Sequence, residues 1–209
     1  HILPKEDPDV SEVVLKQMRS EGVNVALAHY PIEITQRDQD YEMLAEHRGS
    51  QQRFRFTHLL VATGRRANTE SLGLDALGIE LSDDGTIAVD DYLRTRFPNI
   101  YAVGDVAGPY QFTHAASHQA WYAAVNALFG RFKSFKADYS VIPWATFTDP
   151  EVARVGLSET EAREKGIDFD VTRYDLDDLD RAIADGETQG FVKVITPKGK
   201  EKILGATIV

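Results

Sequence analysis

The chain has no cysteine. Disulfides, thiolate metal sites and a cysteine nucleophile are therefore excluded within these 209 residues. No apolar run approaches the roughly 20 residues that a membrane-spanning helix needs. The first residues, HILPKEDPD, lack the basic segment followed by an apolar one that marks a secretory leader. A cytoplasmic location is the expectation. Positive charge is also short, with 23 Lys and Arg against 33 Asp and Glu and a net charge of −10. That balance repels nucleic-acid phosphates and anionic membrane surfaces, so neither is expected as a partner. No Gly-x-Gly-x-x-Gly triplet opens a helix after a strand, and GRRANTESLG does not fit that pattern. Internal repeats, low-complexity tracts and coiled-coil heptads are absent as well.

What is present reads as an ordinary globular α/β chain, 43% hydrophobic and long enough for one large domain or two small ones. Asp7-Pro8 caps a helix whose Val10, Val14 and Met18 share one face, and Gly22 stops it. Val23 to Ala28 then reads as a strand, and Pro31 to Thr35, Tyr41 to Glu46 and Arg53 to Phe56 alternate like a small antiparallel set turning at Gly49-Ser50. His58 onward opens another buried strand that ends at Gly64, Arg65 and Arg66. A looser stretch follows, with a turn and short hairpin at Asp83 to Gly85. Thr113 to Gly130 is alanine-rich and helical, with Ala116, Ala120, Ala124 and Leu128 spaced for close packing against a neighbour or cofactor.

A new unit begins near Tyr139. Strand-like runs flank the turn Thr148-Asp149-Pro150, and Ser158 and Glu161 have capping-box spacing for a helix ending at Gly166. GFVKVIT and ILGATIV are strands joined by the charged loop PKGKEK. Val209 falls within an apolar strand signal, so the sequence reads as cut short there.

Ile100 to Gly108, IYAVGDVAG, poses the functional question. Ile100 to Val103 fits a short strand buried on both faces, after which Gly104 permits a turn or a close ligand approach. Asp105 then sits where open α/β sheets bind ligands, at a strand's carboxyl end, or else it caps the next turn.

ATGRRAN and GTIAVDDYLRTRFPNIYAVGDVAG, followed by TFTDPEVARVGLSETEAREKG, resemble the pyridine nucleotide-disulfide oxidoreductases. The first two are similar to that family's flavin-domain signature and the third to the start of its dimerisation domain. DLDDLDRAIADGETQGFVKVI is most similar to the mercuric reductase and dihydrolipoamide dehydrogenase branch.

The resemblance implies partial Rossmann-like FAD- and NAD(P)-binding domains followed by an α+β dimerisation domain. Residues 1–56 map to the C-terminal part of the NAD(P) domain, 57–137 to the returning segment of the FAD domain, and 138–209 to the first part of the dimerisation domain. It further implies electron transfer from NAD(P)H through FAD to a disulfide or a thiol-bound mercuric ion, in a homodimer formed through 138–209. Asp105, after Gly104, would accept hydrogen bonds from the ribityl hydroxyls of FAD, work suited to an acceptor-only carboxylate. Phe112 and Thr113 would start the helix whose first amides face the flavin ring and favour its reduced, negative form. Thr63, Gly64 and Arg65 would mark where the two dinucleotide domains meet, with Arg65 near the nicotinamide. The family's redox cysteines would lie before His1 and its His-x-His-Pro-Thr motif beyond Val209, so the chain alone is not expected to catalyse the family reaction. The alternative is a non-catalytic dimerisation or assembly module without bound cofactor.

Other candidates have plainer readings. His114 and His118 have i, i+4 spacing, but neither an HExxH pattern nor a third ligand accompanies them, so they read as one histidine near a helix start and one on its surface, and the resemblance implies a packing role near the flavin for His114. Six aspartates between Asp168 and Asp180 offer no calcium-loop register and read as a solvated face. Arg65-Arg66 also fits a surface pair without a ligand. Trp121 and Tyr122 are expected between helix and sheet, and Trp144 and Phe147 at a subunit interface.

Overall fold

The computed structural model describes residues 1–37 and 40–209. In chain order its elements are α1 (Pro8–Ser20), β1 (Tyr30–Arg37), β2 (Asp40–His47), β3 (Ser50–Phe56), α2 (Leu74–Leu77), α3 (Thr113–Phe129), β4 (Trp144–Thr146), β5 (Val152–Gly156), α4 (Glu159–Glu164), β6 (Phe169–Asp175), α5 (Asp180–Asp185), β7 (Phe191–Pro197) and β8 (Gly205–Ile208). They fall into two compact units, residues 1–60 with 141–209, and residues 61–140.

In the first unit β1, β2 and β3 form an antiparallel meander, and a second antiparallel sheet has the order β4-β5-β8-β7-β6. A helix of 13 residues is marginal on its own, so α1 depends on docking. Val10 and Val14 supply it, fully buried against Val152, Phe191 and Val209. At about 1.5–3 kcal/mol for each valine, that burial decides where the helix sits.

Charged groups fix the same junction. Asp7 accepts hydrogen bonds from the amides of Glu159 and Thr160, both at 3.0 Å, so it caps α4 from outside that helix. The buried Lys193 ammonium lies 3.0 Å from Asp7 Oδ2, 2.9 Å from Asp9 Oδ1 and 3.0 Å from Glu159 Oε1. Arg154, also buried, donates to Glu161 Oε2 at 2.7 Å and to the Lys5 carbonyl at 2.8 Å. Its Nε lies 2.9 Å from Glu6 Oε2 as an ion pair without hydrogen-bond alignment. The Trp144 indole donates to Glu6 Oε1 at 3.0 Å.

Burial pushes the Asp7 carboxyl up, and the bonds from Lys193, the two amides and the Thr160 hydroxyl outweigh it, leaving Asp7 at about 2. Glu161 is also lowered, burial being overcome by the bonds from Arg154 and the Ser158 amide. Carboxyls lowered on folding stabilise the fold above their unfolded pKa, and that stability goes as pH falls through the folded one. The first unit is therefore expected to lose about 2 kcal/mol from Asp7 alone between about pH 4 and pH 2. Urea unfolding at stepped pH measures this, and a flat midpoint across that window contradicts it.

In the second unit Ile79, Ile87 and Ala102 form a small core under Leu74, Val89, Phe97, Ile100 and Val106. The expected turn at Asp83 to Gly85 is present. Asp84 accepts from the Thr86 amide at 3.0 Å and hydroxyl at 2.6 Å, and Leu81 bridges Ile87.

Three expected strands do not form. Val23 to Ala28 is irregular, with Val23 exposed. The run from His58 is unpaired, with Leu60 88% and Val61 68% exposed. Ile100 to Val103 contributes one bridge, Tyr101 to Arg94, although Ala102 is buried. Each run has strand-like residues, but a strand exists only where a neighbour completes its ladder: the first two runs have no paired neighbour among the described residues, and Ile100 to Ala102 meets Leu93 to Thr95 through only two backbone hydrogen bonds, 2.9 and 3.1 Å. Trp121 is also a correction. It is 55% exposed and meets Tyr122 and Phe135 edge-on or tilted instead of filling a helix–sheet gap.

Candidate functional site

Asp105 lies in a one-turn 3-10 helix, Gly104–Val106, directly after the extended Val103. Gly104 has φ +76°, and a Cβ there would come within 3.2 Å of Ala116 Cβ in the first turn of α3. Only glycine suits both demands. Gly104→Ala is expected to destabilise the second unit by about 1–2 kcal/mol through the left-handed backbone alone. Thermal melting reads the effect, and an unchanged midpoint contradicts it.

The turn is held at both ends. The Gly104 carbonyl accepts from the amides of Ala107 at 2.9 Å and Gly108 at 3.2 Å. The Gly104 amide donates to Gln119 Oε1 at 2.5 Å, while Gln119 Nε2 donates to the Gly108 carbonyl at 2.6 Å and to the Tyr139 hydroxyl at 2.9 Å. Gln119 is fully buried. Burial pushes the Tyr139 hydroxyl pKa up, and the bond from Gln119 opposes this only in part.

The Asp105 side chain is half exposed and stands 3.8 Å from Arg65 Nη1, itself 59% exposed. An ion pair this open and this long contributes about 0–1 kcal/mol and exchanges readily with a ligand. Thr63 and Gly64 lead into Arg65 as exposed, irregular backbone. Arg66 pairs with Glu70 at 3.2 Å on the surface. Phe112 is the N-cap of α3 and supplies no side-chain cap, so the amides at the start of the helix, from the exposed Thr113 onward, keep their capacity to bind an anion. The Phe112 ring stacks on Tyr110 and His114, with centroids 6.1 and 5.3 Å away.

All seven residues singled out from the sequence thus fall in residues 61–140. Gly104 meets the first turn of α3, and Arg65 reaches Asp105. His118 is committed elsewhere, its Nε2 lying 2.7 Å from the Asp138 carbonyl. The aspartates from Asp168 to Asp180 are exposed. Trp144 is held within its own unit by Glu6 and by Arg154 over its ring, whereas Phe147 is 87% exposed.

Of the stripe read from the sequence only Ala116 packs closely, against Gly104, and that reading passed over Gln119. The buried residues are Ala115, Gln119 and Asn126, whereas Ala120, Ala124 and Leu128 face solvent. A signal was available: two carboxamides seven apart on the stripe begun by Ala115.

Comparison with known proteins identifies two family segments along the chain. The family model described as pyridine nucleotide-disulphide oxidoreductase matches residues 1–120, and that of the same family's dimerisation domain matches residues 142–209. Dihydrolipoyl dehydrogenase of Chlamydia muridarum is 36% identical over 208 residues, covering 100% of this chain and 43% of its own length. Mercuric reductase of Acidithiobacillus ferrooxidans is 35% identical over 205 residues, covering 98% of this chain and 36% of its own. Among solved structures, the HOCl-induced flavoprotein disulfide reductase RclA from Escherichia coli superposes with a TM-score of 0.86 at 30% identity, over 100% of this chain and 47% of that one. The chain therefore spans less than half the length of these relatives.

Proposed function

This chain belongs to the pyridine nucleotide-disulphide oxidoreductase family, and from that premise we propose that it forms part of the flavin site of an FAD-dependent NAD(P)H oxidoreductase. Residues 1–56 belong to the NAD(P) domain, 57–137 to the FAD domain and 138–209 to the dimerisation domain of a cytoplasmic homodimer. The observation that carries the proposal is the Gly104–Val106 turn, which presents a half-exposed carboxylate and packs through Gly104 against the first turn of α3.

The donor set fits such a cofactor. Asp105 offers only acceptors, as the hydroxyls of a ribityl chain require, and the α3 amides offer only donors, as a ring gaining negative charge requires. Gly104 brings the turn that carries Asp105 against the first turn of α3. Phe112 and Thr113 open the helix, and Thr63, Gly64 and Arg65 set a cation on the nicotinamide side. When bound, FAD supplies the redox chemistry, accepting hydride from NAD(P)H and passing electrons to a disulfide or a thiol-bound mercuric ion. The protein's share is to align the groups and bias their charge.

A second reading, an assembly module without cofactor, draws support from the exposed Val141 and Phe147 beside β4. Visible absorbance of the protein as its gene encodes it separates the two. A flavin band that bleaches under argon with NADH or NADPH supports the oxidoreductase. A colourless protein that takes up no added FAD and still dimerises supports the module.

A further inference from the structure

We propose that Gln119 is a positioning residue for the flavin-site carboxylate: its buried carboxamide fixes the turn 104–108 and thereby the direction in which Asp105 faces. This rests on the reading of Asp105 as a flavin ligand. Asp105 has little to orient it through its own side chain, whose ion pair is the exposed one with Arg65 at 3.8 Å. Its direction comes from the backbone on either side. Gln119 grips that backbone at both ends, accepting from the Gly104 amide at 2.5 Å and donating to the Gly108 carbonyl at 2.6 Å.

The chemistry selects a carboxamide. One end must accept from an N–H and the other must donate to a carbonyl, from a single planar group with no access to water. A carboxylate would face the Gly108 carbonyl with a second acceptor, and leucine would leave both backbone groups unpaired. The second hydrogen on Nε2 goes to Tyr139, so the amide cannot flip without losing bonds.

Asn126 is an internal control on the same helix. It grips Phe135 in the same manner, accepting from its amide and donating to its carbonyl, both at 2.8 Å, but holds no part of the turn that carries Asp105.

The test is a double-mutant cycle on the protein as its gene encodes it. FAD affinity is read by fluorescence quenching at a temperature where circular dichroism shows every variant folded. Gln119→Leu is expected to weaken FAD binding by about tenfold, the equivalent of one lost hydrogen bond. In an Asp105→Ala background the same change is expected to add less than about twofold, because the group it orients is gone. Asn126→Leu is expected to lower the melting temperature and leave FAD affinity unchanged. Equal weakening in both backgrounds, or none in either, overturns the proposal. If Asp105→Ala alone leaves affinity unchanged, the flavin-ligand reading fails and this proposal with it. Should Gln119→Leu not fold, Gln119→Asn takes its place, since it keeps the amide but withdraws it by one methylene. The same expectations and the same overturning results apply.

Discussion

Replacing Lys193 by methionine is expected to destabilise the first unit by about 3–5 kcal/mol, the usual cost of removing one partner from a buried ion pair. The lysine side chain is 1% exposed, and three carboxylates lie within 3.0 Å of its ammonium. Burial pulls the Lys193 pKa down, and the bonds to Asp9, Asp7 and Glu159 outweigh it and leave it raised, so the ammonium stays charged. Without it, Asp9 can turn to water, but Asp7 is buried and loses the largest of the interactions that keep it ionised. Methionine matches the lysine stem in volume, so the loss measures the charge and not a cavity. Arg181→Ala, which opens a surface pair with Asp185, serves as the contrast and is expected to change stability by less than about 0.5 kcal/mol. Urea unfolding compares the two variants. A Lys193 loss below about 1 kcal/mol contradicts the role given to the cluster.

Asp105→Ala is expected to weaken FAD binding by about 10- to 100-fold, since hydrogen bonds to a charged group are worth about 1.5–3 kcal/mol. The stability of the cofactor-free protein should not change, because the carboxylate is half exposed and its ion partner Arg65 is 3.8 Å away. That separation of affinity from stability is what distinguishes a ligand from a structural residue. Asp105→Asn keeps one acceptor and the side-chain shape, and should fall between alanine and the parent. An Asp105→Ala protein that binds FAD as tightly as the parent would contradict the assignment. One that melts lower without FAD would show that Asp105 serves the turn, the plainer role its sequence also allows.

Local signals in this chain were readable. Asp7-Pro8 with Val10 and Val14 marks α1, and Ser158 with Glu161 marks α4, where the reciprocal capping bonds are present. These features depend on residues within one or two turns of each other. The runs from Leu59 to Val61 and from Ile100 to Val103 have strand composition, but whether they pair depends on segments far away in sequence. The same limit hid Gln119, whose partners lie 11, 15 and 20 residues away. Lys193 carried a sharper clue. In GFVKVIT the period of two sets it between Phe191 and Ile195 on the inner face, where a lysine survives only if carboxylates meet it. Its partner Asp7 was legible as a helix cap, yet it caps α4 across the fold and not its own helix.

Hydrogen exchange with and without FAD tests the central claim most directly. On saturation with FAD, amides from Gly104 to Ala115 should exchange more slowly, while those of the β1–β3 sheet should keep their rates. No slowing at that turn and helix start, with FAD bound and protection appearing elsewhere, would contradict the site described above.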